Sequence, residues 1–328
     1  MPEGPEVQRY ADQLDRVLAS GEIVQFTART QAAKRWLAEH PNDLAGRRIT
    51  KVTAHGKNLI GWIEPDYYFY SHLMMWGRWT TFTGQPPEEI DRRERARIVT
   101  ATGGAILLSA PIFQIGQGDP YEQVETLQQL GPDILPEDNV PFDQAQFQQR
   151  LLSPHQNNLS NRTIGAALLD QSIVAGIGNY LRAEILFLCQ IDPWRNVNEL
   201  AESEFHRLCE MIPQIARRAY ETGGVTASDP DRFRMEHDRT LVYRLGSEFG
   251  SRHYVFRRTN LPCLRCSTPI RQQKQMIHSD EAEEKTRIIY FCPTCQNPSS
   301  RLACAKGIDL PPRRTKARSK KTKAQLIS

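Results

Sequence analysis

The chain has 328 residues, 39% of them hydrophobic, and a formal net charge of +4, which is enough for two or three domains with real cores. No run reaches the ~18 apolar residues of a membrane span and no basic-then-apolar leader opens the sequence, so neither a membrane protein nor a secreted precursor is expected. The charge is uneven: residues 297–328 carry nine Lys/Arg against one acid and the rest is net −4, so the body is no generically basic nucleic-acid binder, and any DNA-binding charge on it must be gathered on one face.

The chain opens Met-Pro-Glu-Gly-Pro-Glu. Gly4-Pro5-Glu6 reads as a helix start, with Gly4 as N-cap, Pro at the first position and an acid in the first turn. Val7, Tyr10, Ala11, Leu14, Val17 and Leu18 follow as a 3.6-residue stripe, so residues 1–19 are expected to be helical. A second reading is compatible with the first. Removal of Met1 would leave Pro2 as a secondary amine, nucleophilic in part near neutral pH, with Glu3 beside it to donate and accept protons.

From about 23 to 115, β-branched and aromatic runs alternate with Gly and Pro turns. The runs are Ile49–Thr53, Leu59–Ile63, Tyr67–Leu73, Arg78–Phe82, Ile98–Thr100 and Ala105–Ser109, which predict a strand-rich sandwich or barrel. Lys57 stands at a strand start after a turn, where a lone lysine is ordinarily a solvated charge. In Tyr70-Ser71-His72-Leu73-Met74-Met75-Trp76-Gly77, Leu73 suits a buried strand end. The three large residues after it fit one buried face poorly, because strand neighbours face opposite sides; a wedge into a base stack is the other reading.

Residues 117–145 are acidic and contain proline, and read as a connector. Gln144–Leu152, Ile164–Ile173, Tyr180–Cys189 and Glu202–Thr222 are the expected helices. Between the second and third, Ala175-Gly176-Ile177-Gly178-Asn179 makes a glycine turn with Asn179 capping the next helix. Such a helix start is either a plain hairpin turn or a phosphate site. Residues 223–254 are polar and charged, and read as a flexible loop. Cys263-x2-Cys266 and Cys292-x2-Cys295 are separated by 25 residues, a spacing that places four thiolates around one structural Zn²⁺. Cys189, Cys209 and Cys304 fall outside that pattern and read as core or tail thiols. The basic tail at 297–328 reads as disordered, attracting DNA without reading its sequence.

Together these segments resemble the formamidopyrimidine-DNA glycosylase and endonuclease VIII family across about residues 1–296. MPEGPE, the lysine-bearing turn, the His-anchored triplet, LLDQ…GIGNYLRAEILF and the terminal cysteine pairs occur in the family's order. The resemblance implies an α+β, two-lobed enzyme: an N-terminal β-sandwich with the first helix (1–130), a linker (131–143), a helix–two-turn–helix domain (144–254) and a zinc finger (255–296). It implies a bifunctional DNA glycosylase and AP lyase, a monomer working in the bacterial cytoplasm at the nucleoid on damaged double-stranded DNA, with one Zn²⁺. By position in the motifs, Pro2 is the nucleophile, Glu3 the proton shuttle and Glu6 its support. Lys57 and His72 contact phosphate, Met74, Met75 and Trp76 form the wedge, Asn179 holds phosphate, and Arg287 matches the arginine at the tip of the finger hairpin.

The sequence departs from the pattern twice. The purine-repairing branch carries an Asp-Pro-Arg-Arg-Phe-Gly loop, and here Ser109-Ala110-Pro111-Ile112-Phe113-Gln114-Ile115-Gly116 has no arginine. That favours the endonuclease VIII branch and oxidised pyrimidines, with oxidised purines the alternative. The finger's 25-residue interior is also longer than the family usually has. Two rivals of other classes remain: a non-catalytic lesion binder on the same fold, against which Pro2 and Glu3 argue, and a zinc-ribbon transcription factor, which needs no free N-terminal proline.

Overall fold

A computed structural model describes residues 1–137, 140–153, 162–244, 250–279 and 284–297. Apart from Asn297, the basic tail and its Cys304 lie outside the described residues. The fold is α+β.

Helix α1 (Gly4–Leu18) presses Val7, Ala11, Leu14 and Leu18 into the first core. Its cap differs from expectation. Glu3 is the N-cap, and Gly4 and Pro5 are already helical; the Glu6 carboxylate reaches back to accept the Glu3 N–H at 2.9 Å. Then come β1 (Ile23–Ala28), α2 (Gln31–Glu39), β2 (Ile49–His55), β3 (Asn58–Ile63), β4 (Tyr67–His72), β5 (Arg78–Thr83), β6 (Glu94–Thr100), β7 (Gly103–Leu108) and β8 (Ile112–Gln117). Two antiparallel four-stranded sheets, β1-β6-β7-β5 and β2-β3-β4-β8, make a sandwich. Phe69, Trp79 and Phe113 pack between them, ring against ring, together with the α1 stripe.

The connector is more ordered than its composition suggests. Short helices α3 (Pro120–Gln123) and α4 (Glu125–Gln128) lead it. Val124, Leu127 and Leu130 cover Tyr68 and Tyr70 on the outer face of the second sheet, so that sheet is buried on both sides.

The helical part comprises α5 (Gln144–Leu152), α6 (Ile164–Ala167), α7 (Asn179–Leu188) and α8 (Glu202–Glu221). Helix α6 stops after four residues, well short of Ile173, because Asp170 turns the chain: its carboxylate accepts from the Ser172 N–H and from Arg162. Helix α7 is buried from Tyr180 to Phe187 and forms the centre of this core. Residues 223–254 are not one loop. They hold α9 (Asp229–His237), capped by the Ser228 hydroxyl, which accepts the Asp231 N–H. Met235 of α9 packs with Phe187, Val255 and Cys263.

The chain closes on an antiparallel hairpin, β9 (Arg271–Ser279) with β10 (Glu284–Phe291), flanked by the two cysteine pairs. Among the described residues no helix is long and apolar enough to cross a membrane.

Candidate active site and DNA interface

The candidate site forms where the first residues of the chain meet the N-terminus of α7. Glu3 is only 3% exposed. Its carboxylate reaches across to this second helix and accepts from the backbone N–H groups of Gly178 (2.7 Å), Tyr180 (2.9 Å) and Leu181 (3.2 Å). These are donors that a helix start leaves open. The turn that read as either a plain hairpin turn or a phosphate site therefore gives three N–H groups to Glu3, and Gly178, not Asn179, is the α7 N-cap.

Burial pushes the Glu3 carboxyl up to about 7, against the pull of Lys57 and of the helix N–H groups. Such a value suits a group that both gives and takes a proton near neutral pH. Lys57, a solvated charge by its local sequence alone and a site residue by the resemblance, is 6% exposed; its ammonium donates to the Ile177 carbonyl at 2.5 Å. Burial lowers its pKa to about 8, with the charge of Glu3 opposing. Glu6 joins the cluster by accepting from the Tyr180 hydroxyl at 3.1 Å. Pro2 is half-buried next to Glu3, and Met1 is 58% exposed.

Two glycines permit this closeness. A Cβ on Gly178 would lie 2.3 Å from the Glu3 carboxyl carbon. Gly56, at φ +57, lets the turn before Lys57 press against Ala175 and Gly176, and its N–H donates to the half-buried Asp133 carboxylate at 2.8 Å. Replacing Gly178 with Ala is accordingly expected to displace the Glu3 carboxylate. An error of about 1 Å at a catalytic group costs on the order of 10²-fold in rate. Single-turnover excision should fall much further than DNA affinity; a wild-type rate would show that the placement is immaterial.

The wedge candidates stand apart from the core. Leu73 is 1% exposed, whereas Met74, Met75 and Trp76 are 42%, 61% and 78% exposed. Three large apolar side chains in water at one turn are what an interface presents, not a core. His72, half-buried at the end of β4, accepts the Met74 N–H on Nδ1 at 3.1 Å.

Arg182, a residue the sequence reading passed over, bonds Asn179 and lies near Arg287. Arg182 is fully buried. It donates to the carbonyls of Gly165 and Ile288 and to the side chains of Gln275 and Asn179, tying α6, α7 and both finger strands together. Because the Asn179 amide oxygen accepts from Arg182 at 2.7 Å, its NH₂ is left to donate elsewhere. Arg287 is exposed inside β10 opposite Gln275, rather than at the hairpin tip. Burial, reinforced by the nearby Arg287 charge, lowers the Arg182 pKa to about 9.

Glu184 was missed as well. Its carboxylate accepts the N–H groups of Tyr254, Val255 and Phe256, fixing the approach to the finger. Both residues are charges in an otherwise apolar helix, and that is the signal that could have revealed them.

The sulfurs of Cys263, Cys266, Cys292 and Cys295 lie within 4.8 Å of one another. The Cys263–Cys295 and Cys266–Cys292 separations are 3.8 and 3.4 Å. A tetrahedral ion with Zn–S bonds of about 2.3 Å puts sulfurs roughly 3.8 Å apart, so the four residues fit a metal.

The chain is similar to known proteins over most of its length. Residues 1–110 match the formamidopyrimidine-DNA glycosylase N-terminal domain, and residues 130–231 match the formamidopyrimidine-DNA glycosylase H2TH domain. Endonuclease 8 of Pectobacterium atrosepticum is 30% identical over 297 residues, covering 90% of this chain and all of that protein. Endonuclease 8 of Escherichia coli O9:H4 is 29% identical over 298 residues, with the same coverage. Among solved structures, Lactococcus lactis Fpg bound to DNA containing N7-benzyl-Fapy-dG superposes with a TM-score of 0.69 at 26% identity, over 90% of this chain and 99% of that one. The same enzyme bound to DNA containing an oxidised pyrimidine gives 0.67 at 25% identity, with the same coverage. The chain therefore belongs to the formamidopyrimidine-DNA glycosylase and endonuclease VIII family of base-excision repair enzymes, DNA glycosylases with AP lyase activity.

Proposed function

We propose that this enzyme removes oxidised pyrimidines from duplex DNA with Pro2 as nucleophile. The observation that carries the mechanism is the buried Glu3 carboxylate, held next to Pro2 by three N–H groups of α7 and acted on by the buried Lys57. The exposure of Met1 fits its removal, which frees the Pro2 amine.

The amine attacks the sugar C1′, the C1′–N bond breaks, and the base leaves with a proton. Opening of the ring gives an iminium between Pro2 and C1′. Loss of a proton from C2′ expels the 3′ phosphate, and a second elimination expels the 5′ phosphate, leaving a one-nucleotide gap. Glu3 carries protons in these steps. Lys57 and His72 hold the phosphate beside the lesion, and the Asn179 amide and Arg287 hold phosphates from the helical side. Met74, Met75 and Trp76 fill the stack vacated by the flipped base, offsetting a flipping cost of a few kcal/mol. The four cysteines hold one Zn²⁺. With four thiolates it has no open position, so it shapes the finger and does no chemistry.

The pyrimidine preference is supported by the absence of arginine from residues 109–116 and by the similarity to the Endonuclease 8 proteins. Borohydride added during turnover is expected to trap a covalent protein–DNA adduct mapping to Pro2, and excision on a panel of single-lesion oligonucleotides is expected to be fastest for oxidised pyrimidines. No adduct would sink the mechanism. Faster excision of oxidised purines would replace the substrate assignment alone.

A further inference from the structure

The turn after β4 has three supports, a buried anchor, a backbone hydrogen bond and one ring. Leu73 anchors it in the core, and the Gly77 N–H closes it on the Leu73 carbonyl at 2.8 Å. Between them Met74 sits at φ +51, a left-handed conformation that costs a side-chain-bearing residue roughly 1–2 kcal/mol. The Met74 N–H donates to His72 Nδ1 at 3.1 Å. A nitrogen that accepts has no proton of its own, so a neutral ring bonded in this way carries its proton on Nε2. Burial, followed by the charge of Lys57, keeps the ring neutral by holding its pKa at about 4.

We infer that His72 is the positioning residue of the wedge: Nδ1 fixes the Met74–Trp76 turn while Nε2–H remains the donor to phosphate, so one imidazole sets the wedge relative to the DNA backbone. The inference rests on the reading of Met74, Met75 and Trp76 as a wedge. Its consequence is specific. The two ring nitrogens do separable jobs, and losing the Nδ1 contact damages excision from duplex more than from single strands, since only a duplex has a vacated stack to fill.

The test replaces one nitrogen at a time. An asparagine oxygen falls near the place of Nδ1, and a glutamine amide reaches that of Nε2. Excision of the same lesion is measured in duplex and in single strand, and their ratio is the readout. In His72→Asn both rates fall, but their ratio stays within about twofold of wild type. In His72→Gln the ratio drops about tenfold, the size of one net hydrogen bond. A preserved ratio in His72→Gln, or equal changes in the two variants, overturns the proposal. Nitrogen-15 NMR of the unmodified enzyme should show Nδ1 bare and Nε2 protonated at neutral pH; the reverse tautomer overturns it without any substitution. Alanines at Met74, Met75 and Trp76 separate the two failures. An unchanged ratio there removes the wedge itself and the proposal with it, whereas a lowered ratio beside a normal His72→Gln removes only the role of His72.

Discussion

A Pro2→Ala enzyme is expected to bind damaged DNA and lose most of its base excision, because the nucleophile changes while every proposed DNA contact stays. A primary amine can still form a Schiff base, so a weak residual adduct is expected with borohydride. Glu3→Gln should be the more informative partner. Loss of a positioned proton-transfer group costs on the order of 10²- to 10⁴-fold, and the cost should fall on base removal, with part of the strand cutting retained at a preformed abasic site. The structure adds a second effect. The two Glu3 oxygens together accept three N–H groups of α7, and a glutamine can present only one oxygen. At least one helix donor is left buried and unpaired, at about 1–3 kcal/mol. The melting temperature should therefore drop along with the rate. With the carboxyl pushed up to about 7, a proton-donating Glu3 makes wild-type excision decline as pH rises through that value, and this limb should be absent from the Glu3→Gln profile. Wild-type excision rates in either variant would end the mechanism.

Cys263→Ser and Cys292→Ser are expected to release the metal and unfold the finger, since binding of a structural zinc is coupled to folding and is worth about 10–16 kcal/mol in small zinc-finger peptides. The damage should not stop at the finger. Cys263 and Cys292 share a core with Phe187 of α7. Two of the four partners of Arg182, Gln275 and Ile288, belong to the finger strands. Unfolding the hairpin thus strips Phe187 of part of its cover and leaves Arg182 half satisfied, loosening the Asn179 amide. Affinity for damaged DNA should fall by more than truncation of the Arg287 side chain alone produces. Metal analysis of the wild-type enzyme should find one zinc per chain; active protein without zinc would refute the assignment.

Local signals in the sequence were reliable where the structure is local. Gln144–Leu152 is bounded as expected because Asp143 accepts the Gln146 N–H at its start and Phe147 and Leu151 are its buried face. The α1 stripe is buried where its period places it. The two CxxC pairs converge as their spacing requires. A cap also stood legible at Ser228-Asp229-Pro230, and reading 223–254 as one polar loop passed over it. What was not legible depends on distant partners. Lys57 is buried with its ammonium donating a hydrogen bond to the Ile177 carbonyl, 120 residues on. Asn179 yields the cap position because the carboxylate of Glu3 already occupies the helix start. Neither fact has a trace in the residues nearby.

The hydrogen bonds of Glu3 also order events in time. Its first donor, the Gly178 N–H, lies 175 residues further along the chain. At about 5–20 residues per second a ribosome needs roughly 9–35 s to make that stretch. The sandwich can fold only in the later part of that interval, once β8 is made, and until α7 follows the carboxylate has no seat. Nascent chains and truncated fragments that stop before α7 would thus be incompetent to cut DNA, and an N-terminal fragment should gain activity only when the helical half is supplied to it as a separate chain.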